Sequence, residues 1–181
     1  MPHFSPNFSP MIRAALMVSD LDVSRTFYSD VLGFDDVFLE GDITDGNVWQ
    51  VMAVPQSTAT RVVILKRKGQ PEYGMVGLFE LTNPQPDPVQ RPSTGMNRGE
   101  ICMVFYCDDL DGVTAKLEAG GHTIVGPAAP LRVGGFVKQR EMIFRDPDGA
   151  LINLIEWDPS RADKPEKWSG EPEGQDGEPE Q

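Results

Sequence analysis

Long apolar runs, basic surplus and cysteine are all scarce in this chain of 181 residues. No stretch of about 18 consecutive apolar residues occurs, so no membrane-spanning helix is expected. Lys and Arg total 16 against 28 Asp and Glu, a formal net charge of −12. That balance disfavours nucleic acid and anionic membrane surfaces as partners. The first residues, Met1 to Pro10, carry neither a basic segment nor an apolar core, which argues against a secretory signal. Cysteine is limited to Cys102 and Cys107. Their odd spacing in one expected strand turns them to opposite faces, so they should not pair. Free thiols fit a reducing cytoplasm, the expected location. What is present, 39% hydrophobic and 24% charged residues, suits a soluble globular protein. The length allows one domain with a sizeable core or two small fused modules.

Residues 142–159 organise the rest. Met142 to Arg145 reads as a strand, Asp146-Pro147-Asp148-Gly149 as a tight turn, and Ala150 to Trp157 as the returning strand. Alternation puts Leu151, Asn153, Ile155 and Trp157 on one face and Ile152, Leu154 and Glu156 on the other. Asn153 is thus a polar residue on a largely apolar face, a position from which a sheet presents chemistry to a cavity. Gly77-Leu78-Phe79-Glu80-Leu81 echoes Asn153-Leu154-Ile155-Glu156-Trp157. Val18-Ser19-Asp20-Leu21-Asp22 echoes Cys107-Asp108-Asp109-Leu110-Asp111, each ending a strand and opening a helix. Both echoes run in the same order, which predicts one module present twice.

Residues 1–10, with three prolines, read as an extended arm. Met11 to Val18 is a mostly apolar strand whose one charge, Arg13, shares a face with Ala15 and Met17. Asp20 caps a helix running to about Leu32, with Val23, Phe27, Tyr28 and Val31 along one side; Gly33 stops it. Strands are expected at Phe34–Glu40, Thr60–Lys66 and Met75–Thr82, while Val48–Val54 is ambiguous between helix and strand. The four prolines of residues 83–98 mark a linker. Beyond it come a strand at Glu100–Cys107, a helix from Asp109 to about Glu118, and a short strand at His122–Val125. A loop over Gly126–Pro130 then leads to the hairpin. Residues 159–181 read as a disordered acidic tail in which Trp168 either docks or stays solvated.

With these motifs in place the chain resembles the vicinal oxygen chelate superfamily, which includes glyoxalase I, extradiol dioxygenases, epimerases and bleomycin-resistance proteins. The resemblance is carried by Val18 to Asp22, Phe27-Tyr28 and Val31-Leu32-Gly33-Phe34, then by Asp108 to Asp111 and Asp146 to Gly149 with its following strand. It implies an α+β fold of two fused βαβββ modules, residues 11–82 and 99–158, whose curved mixed sheets enclose a cavity for a small-molecule substrate or ligand. A homodimer is compatible with it, since the superfamily's cavities are often completed by paired modules. Metal-dependent members take one ligand from the first and one from the last strand of each module. Carried onto this chain, those positions are Arg13, Gly77, Cys102 and Asn153. A guanidinium does not ligate, glycine has no side chain, and Cys with Asn makes a poor site for a hard ion. No metal and no other cofactor is expected.

Four residues are candidates for chemistry in such a cavity. Arg13 suits a carboxylate, phosphate or enolate oxygen, unless it pairs internally with Glu100 or Glu141. Cys102 is an inert core thiol unless a cation lowers its pKa. Asn153 either orients a substrate carbonyl or satisfies backbone. Glu100, two residues before Cys102 on the same face, is a candidate general base. Trp49, Phe79, Phe144 and Trp157 are candidate pocket walls or simply core. Two functions follow as expectations. One is an enzyme of lyase or isomerase type that polarises a substrate oxygen with Arg13 and Asn153 in place of a metal. The other is a non-catalytic binding protein of the bleomycin-resistance kind.

Overall fold

The computed structural model describes residues 9–44, 46–91, 95–131 and 139–156. Most of the expected N-terminal arm, Trp157 and the acidic tail with Trp168 lie outside the described residues. The chain divides into two compact units, residues 1–90 and 91–181. In each, a strand and a helix are followed by three strands, so the α+β pattern of two βαβββ modules is present. Among the described residues, no helix is long and apolar enough to cross a membrane.

The first unit holds a mixed sheet in the order β1 (Arg13–Val18), β4 (Met75–Thr82), β3 (Ala59–Lys66), β2 (Asp36–Ile43). β1 runs parallel to β4, and the other pairs are antiparallel. Helix α1 (Leu21–Asp30) starts where the Asp20 carboxylate accepts the backbone N–H groups of Asp22 and Val23. Those donors would otherwise be orphaned at the helix start. The chain leaves the helix through Gly33 at φ +71°, a left-handed conformation that costs glycine little. The buried stripe is Leu21, Ser24, Phe27 and Tyr28, and Val23, expected within it, is exposed. The cap makes Leu21 the first helical residue, so the inward positions count from there and Val23 turns outward. Arg61 on β3 pairs with Asp22 on the helix and with Glu80 on β4. The face of the sheet shared by Arg61, Val63, Leu65, Val76 and Leu78 is therefore the one α1 covers. The ambiguous Val48 segment is a short helix, α2 (Val48–Val51).

The second unit repeats the plan with β5 (Cys102–Cys107), β8 (Leu151–Glu156), β7 (Arg140–Arg145) and β6 (Ile124–Pro130) in that order. Helix α3 (Leu110–Ala119) is capped by Asp109, whose carboxylate accepts from Gly112 N–H. Leu110, Leu117, Phe144, Met142, Ile152 and Leu154 are buried. Ion pairs from Arg140 to Asp111 and Glu156 tie this helix to the sheet. Two expectations are corrected here. Gly126–Pro130 is strand and not loop, because two register shifts keep β6 paired with β7 despite its prolines. Glu100 lies outside the strand, which begins at Cys102, so the two do not share a strand face.

The hairpin turn takes Asp146–Ala150. The Asp146 carboxylate accepts from Asp148 N–H at 3.0 Å and Ala150 N–H at 2.7 Å, and Gly149 sits at φ +87°. Arg145 therefore pairs with Leu151, which sets Phe144 opposite Ile152, Ile143 opposite Asn153 and Glu141 opposite Ile155. Cys102 and Cys107 are free thiols at the two ends of β5.

Candidate functional site

In the first unit the helix-free face of the sheet carries Arg13, Ala15 and Met17 from β1, beside Met75, Gly77 and Phe79 from β4. Val62, Ile64 and Met75 form a buried apolar patch on this face, with Ile43 and Phe79 packed against it. Arg13 is half-buried at its edge. A Cβ on Gly77 would lie 3.0 Å from Cε2 of Phe79 and 3.3 Å from Cδ of Arg13. The bare backbone of Gly77 is thus the floor across which the Arg13 stem runs beside the Phe79 ring. Among the described residues no carboxylate pairs with Arg13. Glu100 and Glu141, the acids considered as its partners, are engaged within their own unit. Trp49 is half-buried on α2.

In the second unit the helix-free face carries Cys102, Val104 and Tyr106, then Leu151, Asn153 and Ile155, then Glu141, Ile143 and Arg145. Asn153 is 7% exposed. Its amide nitrogen donates to Glu141 Oε2 and to the Met142 carbonyl, both at 3.2 Å. Both neighbours are acceptors, and this fixes which end of the amide points where. The Gln139 amide donates to Glu141 Oε1 at 2.7 Å. A carboxylate is therefore held on this face by two side-chain amides. Sequence reasoning considered Glu141 only as a partner for Arg13 and missed Gln139 altogether.

The expected roles change accordingly. Asn153 cannot donate to a substrate carbonyl as placed, since its amide N–H groups are committed inside the protein. Phe144 lies on the opposite face, 0% exposed, so it is core and walls no pocket on the side of Asn153. Burial pushes the Cys102 thiol above its ordinary pKa, offset in part by the Asn153 backbone N–H; it stays protonated, not a ready nucleophile. Glu100 accepts from Arg145 at 2.9 and 3.2 Å and from Asn97 N–H at 2.7 Å, with Arg91 at 3.5 Å. The Arg145 hydrogen bond, then the Asn97 N–H, hold its carboxyl below the usual glutamate range. That makes Glu100 a weak base. Arg145, only 7% exposed, also donates to the Gly95 and Gly149 carbonyls.

A divalent metal at the four positions implied by the fold does not fit these residues. Gly77 offers no atom, and the space above it is taken by the stem of Arg13, a cation. Cys102 is held protonated, and the Asn153 nitrogen is a donor already in use. Among the described residues, no group of three or more His, Cys, Asp and Glu could hold a metal ion.

Comparison with known proteins agrees with the fold. A family model described as Glyoxalase/Bleomycin resistance protein/Dioxygenase superfamily matches residues 11–154. An uncharacterized protein of Escherichia coli (strain K12), YaeR, is 30% identical over 146 residues, covering 78% of this chain and 92% of that protein. Among solved structures, a glyoxalase family protein from Bacillus cereus superposes with a TM-score of 0.68 at 17% identity, covering 82% of this chain and 94% of its own. An antibiotic binding protein from Streptomyces superposes with a TM-score of 0.50 at 20% identity, covering 83% of this chain and 98% of its own.

Proposed function

The chain belongs to the Glyoxalase/Bleomycin resistance protein/Dioxygenase superfamily, and from that premise we propose that it binds a small organic ligand through fixed protein charges instead of a metal. The observation that carries this reading is Arg13. Arg13 is half-buried, its stem runs across Gly77 beside Phe79, and it has no carboxylate partner among the described residues. Holding a charge against an apolar surface without a counter-ion is costly unless something else satisfies it. A ligand carboxylate or enolate oxygen does so, and the Phe79 ring offers an apolar surface to the rest of the molecule.

Binding without turnover is favoured over catalysis because the groups that would do chemistry are engaged. Glu100 is ion-paired, Cys102 is protonated, and the Asn153 donors are satisfied internally. Lyase or isomerase chemistry is the second reading, and Glu141 favours it, as a carboxylate on the helix-free face. The test is a panel of small aromatic carboxylates screened by thermal shift, each with and without chelator. The expected outcome is stabilisation by at least one acid in the wild type and its loss in Arg13→Ala. Stabilisation that disappears on chelation and returns with added zinc or manganese overturns the proposal.

A further inference from the structure

We infer that the helix-free face of the second unit is itself a binding site for a small organic molecule bearing a hydrogen-bond-donating, cationic group, an ammonium, held by Glu141. The inference rests on the reading of these faces as ligand-binding surfaces and adds a chemical class to it.

Each Glu141 oxygen takes one internal donor, Gln139 on Oε1 and Asn153 on Oε2. A carboxylate has about four lone-pair sites, so each oxygen keeps capacity for a second donor. Asn153 turns its nitrogen into the protein, toward Glu141 and the Met142 carbonyl. Its amide oxygen is left without a donor among the described residues. Both amide N–H groups of Asn153 are therefore consumed internally, and what it keeps for a ligand is its acceptor oxygen.

The surroundings sharpen that preference. Among the described residues Arg145 is the one cation on this face, and its guanidinium is engaged by Glu100 and by the Gly95 and Gly149 carbonyls. No cation among the described residues pairs with Glu141. Val104, Ile143 and Ile155 share the face, and Val104 is more than half exposed. An apolar body carrying an ammonium meets both features, whereas a carboxylate brought to Glu141 meets like charge. Gln139 and Asn153 act as positioning residues here: they fix the carboxylate, and the carboxylate touches the ligand.

The test uses two probes with the same aromatic body, phenethylamine and phenylacetate, titrated into the full chain and followed by NMR of side-chain amides. The amine should move the Gln139 and Asn153 amide signals, and Glu141→Gln should weaken it about tenfold or more. Phenylacetate should leave those two signals unmoved and respond instead to Arg13→Ala. Retention of the acid response in Glu141→Gln shows that this variant is folded. If the amine fails to move the two amides, or binds Glu141→Gln equally well, while the acid still depends on Arg13, this inference falls and the proposed function stands. If neither probe binds, both fall.

Discussion

Arg13 reaches across the first sheet because Gly77 has nothing to stop it. Restoring a Cβ there brings it to 3.0 Å from the Phe79 ring and 3.3 Å from the Arg13 stem. Both contacts are with side-chain atoms and neither is with backbone, so the neighbours can shift and Gly77→Ala should fold with a melting temperature near that of wild type. The displaced guanidinium should nonetheless weaken carboxylate binding, which calorimetry would register. Unchanged affinity would mean that the position of Arg13 is immaterial. The two candidate aromatic walls separate in the same way. Phe144→Ala opens a cavity in the core of its unit and should cost about 3–5 kcal/mol in a urea melt. Phe79→Ala, at a half-buried site, should cost less and act on binding. Side-chain chemistry alone could not assign these roles. Arg13 stood out in the sequence as a lone charge in an apolar strand. Glu141, next to Arg140, stood out only as a possible partner for Arg13.

At the level of elements, the helix starts were legible because capping is local chemistry. Asp20 and Asp109 each bond to N–H groups two or three residues ahead. Asp20→Ala and Asp109→Ala should each destabilise by about 1 kcal/mol, and the double variant should lose close to the sum, as sites with no shared partner do. The faces of the hairpin were harder to read, since they depend on register. A turn confined to Asp146–Gly149 would pair Arg145 with Ala150 and put Phe144 on the same face as Asn153. The Asp146 carboxylate instead draws Ala150 into the turn. The pairing moves by one residue, and Phe144 and Glu141 exchange faces with respect to Asn153. Arg145 and Glu100 then fasten residues 95–100 to that same turn. The folded pKa of Glu100 is depressed, so its contribution to stability is present above the ordinary value of 4.5. It is lost as pH falls through the depressed value. Urea midpoints of wild type and Glu100→Gln should therefore differ at pH 7 and converge in acid. A constant difference across that range would show that the pair is not what fastens the segment.

Across the whole molecule, the repeat of strand, helix and three strands was written in the sequence as paired echoes, and each unit carries it out with its own capped helix and four-stranded sheet. The superfamily pattern carried onto that repeat marks four ligand positions, and this chain fills them with residues that do not suit a divalent ion. On the proposed reading, fixed charge takes the place of a metal there. The most direct test is calorimetric titration of chelator-treated protein with the aromatic acid that best stabilises it in the screen. The account predicts the same affinity before and after chelation, and a loss of about ten- to a hundredfold in Arg13→Ala. Binding that vanishes with the metal and is indifferent to Arg13 would contradict it.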